Sequence, residues 1–87
     1  MARTRGRMRT KTDNELLLLQ AVSQNVRRLR QSAGLTVDQA SARSGVHPRT
    51  LQRIEAGMNA DMKSLAGISV ALEVDVAELF RPLQSKR

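Results

Sequence analysis

The residues with the clearest capacity for recognition chemistry are two arginines and a glutamine in the middle of the chain. An arginine guanidinium presents a planar fork of donors that matches the major-groove acceptors of guanine, and a glutamine amide can pair with adenine. Helical spacing places Arg49, Gln52 and Arg53 on one side, whereas Leu51 and Ile54 fall on the other. The pattern predicts a helix whose polar outer face contacts bases, contacts phosphates or is simply solvated.

The residues before this helix predict a second short helix and a tight turn. Thr36 is a good N-cap for a helix over 37–44, whose inner positions carry small side chains. Gly45 supplies the left-handed conformation of a tight turn, and Pro48 suits the first position of a helix over 48–56. Two short helices joined in this way have the layout of a helix-turn-helix.

A long first helix is predicted before this unit. Thr12 followed by Glu15 fits a capping box at its start, and Gly34 ends it. Apolar residues at spacings of three and four define its inner face: Leu19, Val22, Val26, Leu29 and Ala33.

Two helices are predicted after the unit, so the fold class is all-α. Asp61 can cap a fourth helix. Gly67 is expected to lower the stability of this helix by about 1 kcal/mol relative to alanine. Asp75 with Glu78 fits a second capping box and opens a short fifth helix.

The order of these features resembles the lambda-repressor-like, Cro-type helix-turn-helix regulators, also called the Xre family. The resemblance covers roughly residues 22–80, and it rests on the following set: Arg30, Gly34, Leu35, Thr36, Gly45, Val46, Leu51, Ile54, Glu55, Gly57, Leu65, Ile68, Leu72, Val74, Leu79 and Phe80. It implies a compact five-helix DNA-binding domain, here with an extended first helix.

The resemblance implies that the start of the third helix reads bases. The positions concerned are Pro48, Arg49, Gln52 and Arg53. For the two arginines, phosphate contact or solvation remains the alternative, and surface glutamines are common.

Contacts with the DNA backbone are expected from the starts of the second and third helices. The residues assigned to them are Thr36, Val37, Arg43, His47 and Thr50. Relatives usually carry glutamine at the position of Val37 and a serine or threonine cap at that of His47, so these two positions depart from the family pattern.

The resemblance also implies a buried salt bridge between Arg30 and Glu55. Both residues fall near the apolar stripe, where an unpaired charge is costly. A solvated pair that contributes little is the alternative.

Charge divides the chain into a nearly neutral body and two basic tails. The net charge is +7, to which residues 1–12 contribute +5, residues 13–80 contribute −1 and residues 81–87 contribute +3. We expect a disordered arm over 1–11, the domain over 12–81 and a tail over 82–87. The arm residues predicted to contact phosphates or a minor groove are Arg3, Arg5, Arg7, Arg9 and Lys11. The alternative is that the tails only aid solubility.

A homodimer is expected on a palindromic operator. The resemblance places its interface in the fifth helix, at Val76, Leu79 and Phe80. Four consecutive leucines at 16–19 cannot all face one core, so they either pack within the chain or form a dimer contact. A protein partner on residues 12–21 or on the C-terminal tail is a further possibility.

The predicted function is a sequence-specific, double-stranded DNA-binding transcriptional regulator, with repression favoured because no ligand or activation domain is evident. The alternatives are an antitoxin-type interaction module and a non-specific nucleic-acid compactor.

An enzyme is not expected, because no nucleophile has a paired base and no carboxylate pair has catalytic spacing. No cofactor or metal is expected either, since His47 is the only histidine and cysteine is absent. The short apolar runs predict a cytoplasmic, nucleoid-associated protein without a membrane segment.

Overall fold

The computed structural model describes residues 9–83, which form four α-helices and a short terminal 3-10 helix. The elements are α1 (Lys11–Ser32), α2 (Val37–Ser44), α3 (Pro48–Glu55), α4 (Met62–Leu72) and the 3-10 helix Val76–Phe80. The described residues contain no β-strand. The all-α prediction is confirmed, with the fifth element wound more tightly than an α-helix.

The first helix begins earlier than predicted. Its N-cap is Thr10, whose hydroxyl accepts a hydrogen bond from the Asp13 amide at 3.0 Å, while the Asp13 carboxylate accepts one from the Thr10 amide at 3.1 Å. The predicted box at Thr12 and Glu15 is therefore wrong, because Thr12 lies inside the helix. Lys11, assigned to the flexible arm, is also helical, and the arm over 1–8 lies outside the described residues.

The core is aliphatic and lies where all five elements meet. Its largest fully buried side chains are Val26, Leu51, Ile54 and Leu79. The remaining buried apolar residues of this cluster are Val22, Leu35, Ala40, Val46, Leu65, Ile68 and Leu72. Because α1 and α3 both place residues in this cluster, the core fixes α3 against the rest of the domain.

The helices α2 and α4 approach each other closely at Gly67. A Cβ atom built on Gly67 would overlap the carbonyl oxygen of Ser44 and lie 3.7 Å from Cγ2 of Val46. The expectation that Gly67 only weakens α4 is therefore incomplete. The missing side chain allows α4 to pack directly under the end of α2.

The caps of the last two elements differ in chemistry. The Asp61 carboxylate accepts hydrogen bonds from the Ser64 hydroxyl at 2.6 Å and the Ser64 amide at 3.2 Å, and these bonds hold the pKa of Asp61 below its ordinary value. The cap thus stabilises α4 at neutral pH and is lost as the pH falls. Asp75 is the N-cap of the 3-10 helix, as predicted, and accepts from the Ala77 amide. Glu78 pairs with Arg81 instead of completing the predicted capping box.

A buried asparagine in α1 holds the end of the domain. The side-chain amide of Asn25 donates to the carbonyl oxygens of Leu79 at 3.1 Å and of Arg81 at 2.8 Å. Its own oxygen accepts from Arg28 at 3.2 Å. These bonds satisfy a polar group that is almost fully buried, and they fasten the 3-10 helix to α1.

Across residues 9–83, no helix combines the length and the apolar character that crossing a bilayer requires.

We predict that Gly67→Ala destabilises the domain. Alanine favours a helix by about 1 kcal/mol over glycine, but the new methyl group would collide with backbone, and such overpacking costs about 1–3 kcal/mol. Urea unfolding followed by circular dichroism should show a net loss of stability.

The neighbouring Ala66 provides the matched control, because it is exposed on the same helix. Ala66→Gly should lose about 1 kcal/mol through helix propensity alone. A Gly67→Ala protein more stable than the parent chain would contradict the close packing of α2 and α4.

Candidate nucleic-acid interface

The outer face of α3 presents its polar side chains to solvent. Arg49, Gln52 and Arg53 are exposed, whereas Leu51 and Ile54 on the opposite face are 0% and 1% exposed. Pro48 is half-buried at the first position of the helix. The structure thus brings the three predicted recognition side chains together on one solvent-facing surface of a helix anchored by two core residues.

The start of α3 is capped by a histidine. The Nδ1 atom of His47 accepts a hydrogen bond from the Arg49 amide at 3.1 Å. A neutral imidazole that accepts at Nδ1 carries its proton at Nε2, which leaves a donor on the exposed ring. The departure at His47 from the usual serine or threonine cap therefore keeps the capping function.

Serine hydroxyls hold the turn between α2 and α3. The Ser41 hydroxyl donates to the carbonyl oxygen of Val46, and the Ser44 hydroxyl accepts from the Val46 amide at 3.1 Å. Gly45 adopts a left-handed conformation with φ 74°. Ser41 and Ser44 are among the small inner residues predicted for the helix over 37–44, but the sequence did not predict these hydrogen bonds.

An ion pair sets the position of α3 against α1. The Arg30 side chain contacts both carboxylate oxygens of Glu55, with Nε 2.6 Å from Oε2 and Nη2 3.0 Å from Oε1. The side chains are only 13% and 5% exposed, so the solvated alternative does not hold. Arg27 lies 3.6 Å from the same carboxylate but is 57% exposed.

The same arginine also fastens the loop before α2. The Nη1 atom of Arg30 donates to the carbonyl oxygen of Leu35 at 2.8 Å. Its hydrogen bond with Glu55 raises the pKa of Arg30 above the ordinary value, against the opposing effect of burial. The hydrogen bond with Glu55 therefore favours the charged form of the guanidinium.

The residues assigned to the DNA backbone occupy different environments. Thr36 and Arg43 are exposed, and Thr50 is half-buried. Val37 is half-buried against the core, and its side chain has no polar group that could bind a phosphate. The Thr36 hydroxyl accepts from the Gln39 amide at 3.1 Å and caps α2, as the sequence predicted.

A shallow groove of about 380 Å³ lies beside the start of α3. Its polar lining includes His47 and Thr50 together with Lys63 and Ser64 from the first turn of α4. Lys63 is exposed and was not assigned to the site from the sequence. The sequence feature that could have assigned Lys63 to the site is its position just after the Asp61 cap. This position places the charge of Lys63 at the end of α4 nearest the groove.

The three residues assigned to a dimer interface are not equally available. Leu79 is 0% exposed and belongs to the core, so it cannot form an intermolecular surface. Val76 is 43% exposed, and Phe80 is half-buried. The 3-10 helix therefore offers a smaller apolar face than the sequence suggested.

The basic arm is described only at its end. Arg9 is exposed and directly precedes the Thr10 cap, whereas Arg3, Arg5 and Arg7 lie outside the described residues.

Within residues 9–83, no cluster of three or more histidine, cysteine, aspartate or glutamate residues could hold a metal ion.

Two short helices at a left-handed glycine turn, with a polar outer face on the second, define a helix-turn-helix protein. A family model for HTH_3, described as helix-turn-helix, matches residues 26–79. The chain belongs to this family of DNA-binding transcription regulators.

Solved structures with the same fold include regulators. The chain is similar to an HTH_3 family transcriptional regulator from Vibrio cholerae, with TM-score 0.71 and 25% identity, covering 76% of this chain and 38% of the Vibrio chain. It thus spans about two fifths of that protein.

Two restriction-modification controller proteins are also similar. C.AhdI from Aeromonas hydrophila has TM-score 0.68 and 27% identity, with 71% of this chain and 96% of the controller covered. A tyrosine-to-phenylalanine mutant of C.Esp1396I has TM-score 0.66 and 30% identity, with 72% and 81% covered. The comparison with curated proteins gives no match.

We predict that Arg30→Met destabilises the domain by about 3 kcal/mol or more, because it leaves the buried Glu55 carboxylate without its main partner. Methionine keeps much of the aliphatic volume, so the loss reports chiefly on charge. Urea unfolding measures it, and Arg30→Met combined with Glu55→Leu should recover much of the stability.

Arg27→Met is the matched control, since Arg27 approaches the same carboxylate from an exposed position. Its effect should stay within about 1 kcal/mol. Equal losses in the two single variants would contradict the special role of Arg30.

Proposed function

We propose that this chain is a sequence-specific, double-stranded DNA-binding transcriptional regulator that reads the major groove with α3. The observation that carries the proposal is the shared exposure of Arg49, Gln52 and Arg53 on a helix fixed by the core and by the Arg30–Glu55 pair. A rigid support matters because a bidentate base contact tolerates little displacement.

The chemistry of this face favours reading of guanine. Arg49 lies in the first turn of α3, the part of a recognition helix that enters the groove most deeply. Its guanidinium fork matches guanine O6 and N7, and Gln52 can pair with adenine. Arg53, one helical turn further along, reads a second base or holds a phosphate. Pro48 limits the first position to shape and apolar contact.

Groups near α3 are suited to holding the phosphate backbone. The Thr36 hydroxyl, the Val37 amide and the Arg43 side chain belong to α2 or to its N-cap. The His47 ring, the Thr50 hydroxyl and the added Lys63 share one groove. Such contacts position the protein on the duplex without selecting a sequence.

The proposed functional unit is a homodimer on a palindromic operator. Two recognition helices related by a twofold axis read half-sites about 34–36 Å apart. A dimer seated in this way covers its operator and excludes other proteins from it, so repression is the proposed direction of control.

We predict that Arg49→Ala relaxes base preference at one or two positions of each half-site. Removal of a bidentate contact costs about 1–3 kcal/mol of discrimination against the wrong base. Selection of bound sites from a random duplex library, repeated with the variant, measures the change.

Arg43→Ala is the control for this experiment. Arg43 is an exposed arginine of α2, so its loss should weaken binding to all sequences and leave the preferred bases unchanged. Altered preference with Arg43→Ala and unaltered preference with Arg49→Ala would mean that α3 is not the reading element.

We also predict that deletion of residues 2–8 weakens binding to all sequences. The deletion removes Arg3, Arg5 and Arg7 but leaves the Thr10 cap of α1 intact. Each lost phosphate contact should reduce the slope of log affinity against log salt by about 0.9. Fluorescence anisotropy at several salt concentrations measures the slope.

The control replaces the same three arginines with glutamine and keeps the length of the chain. It should reproduce the smaller slope if charge is responsible. An unchanged slope in both variants would show that the arm does not contact phosphate.

A further inference from the structure

The first half of α1 carries an apolar face that the domain itself does not cover. Leu18, Val22, Val26 and Leu29 follow one another at spacings of four, four and three, so they form one helical stripe. Val22 and Val26 are 6% and 0% exposed, but Leu18 is 52% exposed. The stripe thus continues past the end of the core into solvent.

Two adjoining grooves run along this part of the helix. Each has a volume of about 490 Å³, and they share Asn14, Leu18 and Phe80. From their apolar lining we select Leu17, Leu18, Met62, Phe80 and Leu83, and we call these five residues the leucine surface. Four of its members are among the eight large apolar side chains exposed in residues 9–83. Such concentration at one end of a small domain is typical of an interaction site.

We infer that a second copy of this chain covers the leucine surface, which is then the dimer interface of the proposed regulator. The surface can pair with itself, because exposed leucine side chains of α1 and the grooves that they line lie side by side on the same face. A twofold axis can therefore place the leucines of each copy in the groove of the other.

The charges beside the grooves favour a copy of this chain over an acidic or a basic partner. The charged residues that line them are Arg9, Lys11 and Glu15. A strongly charged partner would meet both signs here, whereas a second copy can place its Glu15 beside Arg9 or Lys11 of the first copy.

The location leaves the reading face free. Neither groove is lined by any residue of α3, so a dimer formed here does not cover Arg49, Gln52 or Arg53. The 3-10 helix is the competing interface, but its central Leu79 is buried and Val76 is its one exposed large apolar residue.

The test compares Leu18→Glu with Val76→Glu in the full chain. Sedimentation equilibrium at micromolar protein should give a dimer for the parent chain and for Val76→Glu, and a monomer for Leu18→Glu. Leu83 lies after the last helix, so its replacement can disrupt the interface without unfolding the domain. Leu83→Glu should therefore also give a monomer. Circular dichroism checks that each variant is folded.

Any of three results would overturn the inference: a monomeric parent chain, a dimer that survives both Leu18→Glu and Leu83→Glu, or dissociation caused by Val76→Glu. A mass that indicates a complex with another protein, purified together with the chain and lost in Leu18→Glu, would overturn the choice of a second copy as the occupant.

The inference rests on the proposed function, and DNA binding separates the two. On a duplex with one half-site, Leu18→Glu should bind as the parent monomer does, because its reading face is intact. On the full palindrome it should lose affinity by about 100-fold or more, because two linked sites no longer bind together. Absence of half-site binding in the parent chain would contradict the proposed function, whereas equal binding of both proteins to the palindrome would contradict the interface alone.

Discussion

The contact between Arg30 and Glu55 is the constraint on which the geometry of this domain depends. One guanidinium joins three segments: α1, on which it lies, α3 through both carboxylate oxygens of Glu55, and the loop before α2 through the Leu35 carbonyl. Burial makes either charge costly alone, so the pair acts less as a source of stability than as a selector of one arrangement. The aliphatic core could tolerate small rotations of α3, but a two-point ion pair tolerates few. The direction of the outer face of α3 is therefore set from its inner face.

The sequence could predict the parts of this arrangement that depend on local chemistry or on helical spacing. The cap at Thr36, the left-handed turn at Gly45 and the inward Leu51 and Ile54 each follow from one residue type at one position. The Arg30–Glu55 pair followed instead from a family resemblance, because a spacing of 25 residues carries no local signal. The exposed side of α3 could be predicted because the three alternatives, base contact, phosphate contact and solvation, all require the same orientation.

The features that the sequence did not predict depend on contacts between distant segments or on competition between similar signals. Thr10 with Asp13 and Thr12 with Glu15 are both acceptable capping boxes two residues apart, and local rules do not choose between them. Gly67 is unfavourable in an isolated helix, so its role is visible only where α4 meets the Ser44 carbonyl. Asn25 likewise gave no signal on an apolar stripe, because its partners are carbonyl groups more than fifty residues away. Leu79 shows the opposite error, since an apolar residue in a terminal helix fits a core and an interface equally well.

The length of α1 connects the two proposed surfaces of the molecule. Its 22 residues span about 33 Å as one continuous helix. Its second half carries Arg30 and holds α3, while its first half carries Leu17 and Leu18 of the leucine surface and precedes residues 26–79, which match the family. Because both halves belong to one rod, a twofold axis at the first half would fix the separation of the two α3 helices without a flexible joint. The spacing of half-sites on DNA would then be determined by the angle at which two α1 helices cross. Apolar substitutions at Leu17 and Leu18 would thus change operator spacing while leaving base preference, which we propose to reside in α3, unaltered.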